Sequence, residues 1–172
     1  MKHPLHVGIF LCLSAVFSSS GPALFAGKEQ PTKISTSSIQ VAMIQSDETP
    51  VPAEFKVALY ENLIRQLEKR GFQHVYREGD GNAPSAGDLV VLHSTVRRFK
   101  PGSEEAREVT TVAGATSISI HCQFTNAEGQ PVLERDVTGK VRFFGGNLRA
   151  TYDFAKKASR IAYENFSRTN RK

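Results

Sequence analysis

A cysteine beside a histidine is the pair from which thiol catalysis is built, and the chain has one, His121-Cys122, within Ser117-Ile118-Ser119-Ile120-His121-Cys122-Gln123-Phe124-Thr125. Such catalysis requires the imidazole to reach the thiol and a carboxylate to orient the imidazole. The alternation of this stretch denies the first contact. Successive strand residues point to opposite faces, so Ile118, Ile120, Cys122 and Phe124 share one side while Ser119, His121 and Gln123 share the other. Cys122 therefore reads as a small core hydrophobe. The adjacent carboxylates Asp47-Glu48 and Glu104-Glu105 sit in charge-rich loops with nothing to desolvate them, so they form no acid-base couple. Gly79-Asp80-Gly81-Asn82 lacks the Gly-x-x-x-x-Gly-Lys spacing of a phosphate loop and the later Gly and Glu of a calcium loop. No catalytic residues, no cofactor site and no enzyme are expected.

Metal ligation turns on His93 and His121. They approach only if the third and fourth strands pair so that His93 lies across from Cys122. The short connection from Lys100 to Arg107 instead implies a tight hairpin with His93 across from Gly114, so no zinc site is expected.

The elements that position these residues follow from periodicity. Asn126-Ala127-Glu128-Gly129 supplies turn formers, so the chain folds back into a strand from Gln130 to Phe144. With Thr125 paired to Gln130, Ile118 would lie opposite Val137, Cys122 opposite Leu133 and His121 opposite Glu134. A slip of one residue would set the apolar row against Val132, Glu134 and Asp136, which disfavours it. Arg135 would then face Ile120, implying a bulge or a side chain that snorkels outward. The wet face would display Ser119, His121 and Gln123 beside Glu134, Asp136, Thr138, Lys140 and Arg142.

Upstream, Ser38–Ile44 is a short strand. Pro50 and Pro52 open a helix from Ala53 to Arg70, with Phe55, Ala58, Leu59, Leu63, Ile64 and Leu67 at spacings of three and four and Gly71 as its left-handed cap. Phe72–Arg77 is a second strand, and this strand-helix-strand unit implies a parallel pair. Asp88–Lys100 is a third; Leu89-Val90-Val91-Leu92 is apolar on both faces and belongs at the sheet's centre. Ser103–Arg107 reads as a charged connection, and Glu108–Thr116 as an extension of the fourth strand with Gly114 as a bulge. After Asn147 as N-cap, a second helix runs from Leu148 to Phe166 with Phe154, Ala155, Ala158, Ile161 and Ala162 on one side. The expected fold is α+β, a two-layer sandwich in the order β-α-β-β-β-β-α, with a mixed five-stranded sheet and both helices on one face.

The 172 residues carry a formal charge of +5. The start of the chain is set apart. Lys2, His3 and His6 precede an apolar run from Val7 to Phe17, then small and polar residues to Ala26, the three regions of a secretory signal peptide. The run is too short to span a bilayer. Residues 27–37 read as a flexible linker, 38–167 as a single domain and 168–172 as a basic tail. Cys12 lies between Leu11 and Leu13, outside a lipid-attachment context, and leaves with the signal peptide; Cys122 then has no partner for an internal disulfide. Removing Lys2 leaves a charge of +4, spread over Arg97, Arg98 and Lys100, over Lys140, Arg142 and Arg149, over Lys156 and Lys157, and over the tail. No aromatic residues interleave with these as a nucleic-acid platform requires, so nucleic acid is not an expected partner. Weak contact with anionic surfaces is compatible with the charge.

Val90-Val91-Leu92, the run Val-Arg-Arg-Phe-Lys-Pro-Gly from Val96 to Gly102, the hairpin, Val137-Thr138-Gly139-Lys140, Phe143-Phe144-Gly145-Gly146 and Ala-Lys-Lys-Ala at 155–158 together resemble the bacterial envelope family known as domain of unknown function 4410, over about Ile39 to Phe166. The outline is also similar to the small α+β domains of envelope assembly lipoproteins. The chain departs from the family in having only Val112-Ala113-Gly114-Ala115 where members carry a glycine-rich segment, and in lacking a lipid-attachment motif. The resemblance implies the fold and an exported envelope protein, periplasmic or extracellular; the lack of a catalytic constellation, with the sheet face and edge that two helices on one side leave open, implies a noncatalytic domain that binds a protein partner or its own copy. The alternatives are an accessory domain for anionic wall polymer or lipid headgroups and, less favoured, a hydrolytic envelope enzyme. The candidate partner-binding residues are His121, Glu134, Lys140 and Arg142, on the uncovered sheet face. Intact-mass analysis of the exported protein should give a chain beginning between Ala23 and Lys28; an uncleaved N-terminus or a diacylglycerol adduct would overturn the export reading.

Overall fold

The alternation of residues 117–125 becomes the second-to-last strand of a mixed sheet in the computed structural model, which describes residues 35–46, 48–85, 87–109, 114–141 and 146–167. The signal-peptide expectation, Arg142 and the basic tail at 168–172 lie outside these. The chain divides into two units, Met1–Gln30 and Pro31–Lys172, and everything described belongs to the second.

The strands are β1 (Ser38–Val41), β2 (His74–Arg77), β3 (Val90–Lys100), β4 (Thr116–Asn126) and β5 (Pro131–Val141); the helices are α1 (Ala53–Arg70), α2 (Glu104–Val109) and α3 (Arg149–Phe166). The sheet order is β2-β1-β3-β4-β5. β1 runs parallel to both β2 and β3, and β3, β4 and β5 are antiparallel in turn. The α+β fold, the five-stranded mixed sheet and the two long helices on one face are as the periodicity predicts. β3 is central, with Val90 and Leu92 fully buried. Gly71 takes φ 98° and donates its N–H to the Glu68 carbonyl, ending α1 where a residue with a Cβ would be strained.

The core lies between sheet and helices. Phe55, Leu59, Leu63, Ile64 and Leu67 of α1 and Phe154, Ala155, Ala158, Ala162 and Phe166 of α3 are buried against Ile39, Val41, Leu92, Ile118, Ile120, Cys122 and Phe124. The two helices lie side by side: Asn62 Nδ2 donates to Thr151 Oγ1 at 2.9 Å and Arg70 Nε to Ser159 Oγ at 3.3 Å. α3 rests directly on β5 at Gly139. A Cβ there would overlap the Ala150 carbonyl oxygen and lie 2.8 Å from Phe154 Cβ and 2.9 Å from Phe154 N.

Several local expectations are corrected. Residues 104–109 are helical, not connection and strand, because the Ser103 hydroxyl accepts the Ala106 N–H at 3.1 Å and starts a turn. β4 therefore begins at Thr116. The longer connection abolishes the tight hairpin, and His93 lies opposite Gln123, with Thr95 opposite His121 and a bulge between Val96 and Arg98. In the second hairpin Thr125 pairs with Pro131, Phe124 with Leu133, Cys122 with Arg135, His121 with Asp136 and Ile120 with Val137. Val132 is the extra residue of that bulge, next to a proline that has no N–H for the ladder. Beyond the bulge the offset from the expected register is two residues, an even number, so the side chains from Leu133 onward keep their faces, while Val132 at the bulge packs against the core. Arg135, opposite Cys122, turns outward and donates Nη1 to the Glu134 carbonyl at 2.8 Å. Leu148, not Asn147, occupies the cap position of α3. Asn147 instead ties strand ends to the helix, accepting from Thr116 Oγ1 at 2.6 Å and donating to the Gly102 carbonyl at 3.4 Å. Thr36 and Ser37, expected in the linker, belong to the fold: Thr36 is fully buried with its N–H on the Phe166 carbonyl, and Ser37 Oγ donates to Asp88 Oδ2 at 2.9 Å.

Gly139→Ala should cost about 1–3 kcal/mol or more, because the clash is with helix backbone that cannot step aside. Leu63→Ala, at a fully buried site, should cost about 2–5 kcal/mol through the cavity it leaves. Urea melts decide both; a Gly139→Ala protein as stable as the parent would contradict the helix-on-strand contact.

Candidate functional site: the open sheet face and its edges

The sheet face away from the helices is built of crosswise rows on β3, β4 and β5. Lys100, Ser117 and Lys140 form one row, Arg98, Ser119 and Thr138 the next, then Thr95, His121 and Asp136, then His93, Gln123 and Glu134. Neighbours in a row are close enough for side chains to bond. Ser119 Oγ and Thr138 Oγ1 are 3.0 Å apart, and Gln123 Nε2 donates to Glu134 Oε1 at 2.6 Å. His121 Nδ1 is 2.9 Å from Asp136 Oδ1, while its Nε2 is 3.9 Å from Glu134 Oε2. His93 Nε2 is 3.4 Å from Thr125 Oγ1.

Of the four candidate partner-binding residues, His121 and Glu134 come together, although the direct cross-strand partner of His121 is Asp136. Lys140 lies two rows away from His121 on β5, exposed, and Arg142 lies outside the described residues. His93 and His121 sit on adjacent strands in adjacent rows, yet no group of three or more His, Cys, Asp or Glu gathers as a metal ion would require among the described residues. Cys122 is on the other side of the sheet, fully buried opposite Arg135 and Ser94. Burial pushes its thiol up to about 12, against a smaller opposing effect of the Ser94 hydroxyl. A thiol so placed is neither ionised at neutral pH nor reachable, so it is no nucleophile.

The two sheet edges differ. At the β5 edge, α3 reaches down to the strand: Lys157 Nζ donates to the Thr138 carbonyl at 2.9 Å, and Asp153 Oδ2 accepts the Lys140 N–H at 2.9 Å. The same Lys157 and Asp153 pair with each other at 2.6 Å. Side chains thus occupy backbone groups that an added strand would need. The β2 edge is four residues long, and among the described residues no side chain caps the backbone of His74, Val75 or Tyr76. Beside it Arg77 makes a two-pronged pair with Glu61, at 2.6 and 2.9 Å, and lies 5.5 Å over the Tyr60 ring. The Arg77 hydrogen bond holds the Glu61 carboxyl below its usual range. Next to this pair a depression of about 400 Å³ is lined by Met43, Ile44, Lys56, Val57, Tyr60 and Glu61. Met43 and Val57, 59% and 61% exposed, line the same depression, and they are absent from the sequence-based site because neither interrupts a periodicity.

The fold is shared with PelC from Paraburkholderia phytofirmans, a dodecamer. Two of its structures align with TM-scores of 0.57 at 11% and 14% identity, covering 79% and 80% of this chain and 92% and 93% of theirs. A minor lipoprotein from Acinetobacter baumannii is similar at 16% identity and a TM-score of 0.45, over 73% of this chain and 93% of its own. No protein-family model matches the chain, and no curated protein does. The kinship with domain of unknown function 4410 accordingly stays a resemblance, and the shared property is the fold. No helix among the described residues is long and apolar enough to cross a membrane.

Raising the Cys122 value above its ordinary 9.0 means that the folded state keeps a proton the unfolded chain releases. The Cys122 contribution to stability is therefore complete below about pH 9 and is lost as pH rises towards 12. Unfolding free energies measured from pH 8 to 11 should fall more steeply for the parent than for Cys122→Ala, and Cys122 should resist thiol reagents until the protein unfolds; equal slopes and rapid native labelling would contradict its burial.

Proposed function

We propose that this chain is a noncatalytic domain of the bacterial cell envelope that assembles with copies of itself. The observation that carries the reading is the fold likeness to PelC, which extends over most of both chains and whose crystals hold a dodecamer. The surface supports it. A ring needs two different patches on each subunit, one meeting the other around a closed circle. The β2 edge with the neighbouring Met43–Val57 depression offers one patch, apolar and unsatisfied, of the kind that solitary domains seldom leave in water. The His121 cluster is less suited to gripping a partner, since its polar atoms already bond one another. In this reading His121 and Glu134 chiefly tie β4 to β5, and the contacts of assembly lie at the opposite edge.

Sedimentation of the purified protein at tens of micromolar should show a species several times the 18.9 kDa of one chain. Met43→Asp with Val57→Asp should return it to monomer with a melting temperature close to the parent's, because both side chains are exposed in the single subunit. A parent that sediments as a monomer throughout, or a double variant that assembles as before, would overturn the proposal.

A further inference from the structure

The open face is electrically divided. Its carboxylates on β3, β4 and β5, Glu134 and Asp136, stand in the two rows nearest the hairpin turn, whereas Arg98, Lys100 and Lys140 occupy the two rows at the opposite end. All three cationic side chains are exposed, and among the described residues none has a carboxylate within ion-pair reach. The Asp153 carboxylate that holds the Lys140 N–H is neutralised by Lys157 at 2.6 Å. Lys100 and Lys140 flank Ser117 in one row, one on each adjacent strand. With strands about 4.8 Å apart, the two lysine backbones stand about 10 Å from each other, a span that two lysine side chains close over a single anionic group. Arg98 stands one row further along, beside Ser119 and Thr138. The first carboxylate of the face, Asp136, comes four residues from Lys140 along β5, about 13 Å away at strand rise. At about that distance salt screening has removed most of its influence.

We propose that the Lys100–Ser117–Lys140 row, with Arg98 beside it, binds an anionic glycan: a polyol or sugar chain bearing phosphate or carboxylate groups. The ammonium and guanidinium groups take the charge, and the hydroxyls of Ser117, Ser119 and Thr138 suit the sugar hydroxyls between charges. Two neighbouring classes of polyanion fit less well. Nucleic acid wants stacking partners, and these rows hold no Phe, Tyr or Trp. A membrane surface wants apolar side chains to insert, and none of the exposed large hydrophobic residues Met43, Val57, Val109, Leu148 and Tyr152 lies on β3, β4 or β5. The proposal does not depend on self-assembly, since every residue it uses belongs to one copy.

The test is binding of the protein, purified in the form its host produces, to poly(glycerol phosphate), to polygalacturonate and to uncharged dextran at low salt. Both polyanions should bind and dextran should not. Lys100→Gln with Lys140→Gln should weaken polyanion binding at least about tenfold, the loss expected when charge-assisted hydrogen bonds are removed. Glu134→Gln with Asp136→Asn, at the other end of the face, should leave it as tight or tighter. If the lysine variant does not fold, Ser117→Asp, which sets a carboxylate between the two lysines, must weaken binding in its place. Unchanged binding by the lysine or Ser117 variant, no binding by the parent, or tighter parent binding to phosphatidylglycerol vesicles or to a single-stranded oligonucleotide would each overturn the assignment.

Discussion

The helical layer and the β5 edge depend on how closely α3 lies against β5. Gly139 sets that distance: it has no side chain on the helix-facing side, so the first turn of α3 descends until Ala150 and Phe154 touch the strand itself. Three consequences follow from the one contact. The alanines of α3 become core residues, because a helix this low leaves no room for larger ones, and Ala150, Ala155, Ala158 and Ala162 are all fully buried. The next turn carries Asp153 and Lys157 just past the strand, where they occupy edge groups of β5. The helical layer also closes over β4, so that Cys122 and Phe124 lie dry beneath it.

With one face sealed and one edge capped, the molecule is left with an open polar face and a bare β2 edge. These differ in chemistry. Most polar groups near the hairpin turn have partners of their own, so that half of the face is a seam holding β4 to β5. The other half carries cations that have no carboxylate within ion-pair reach among the described residues, and the β2 edge, where no described side chain caps His74, Val75 or Tyr76, lies beside the exposed Met43 and Val57. Unmet bonding capacity, more than residue type, separates surfaces that hold the domain together from surfaces available to something else.

The sequence made the fold legible because helix stripes and strand alternation were uninterrupted. The boundaries of α1 follow from Pro52 and Gly71 at its two ends, and the central place of β3 from its unbroken apolar run. Registers were less legible. The β4–β5 bulge depends on Pro131, whose missing N–H acts only once the strands pair, and the β3–β4 register depends on a six-residue helix that reads as connection and strand because it has no apolar stripe. The consequence for the site was specific. Face assignments beyond the bulge survived, since the hairpin slipped by an even number, but His121 acquired Asp136 as its partner instead of Glu134. The bare edge and the Met43–Val57 depression were not legible, because exposure of an apolar residue is a property of the assembled layers and leaves no mark in spacing.

The central claim is that the two edges of the sheet have different roles, β5 closed within the subunit and β2 open for another copy. Amide hydrogen exchange at high and at low protein concentration measures this directly. The account predicts that the Lys140 amide, held by Asp153, is protected equally at both concentrations, while the β2 amides that point away from β1, those of Val75 and Arg77, are protected only at the higher one. Protection of β2 that does not change on dilution, or protection of β5 that does, would contradict it.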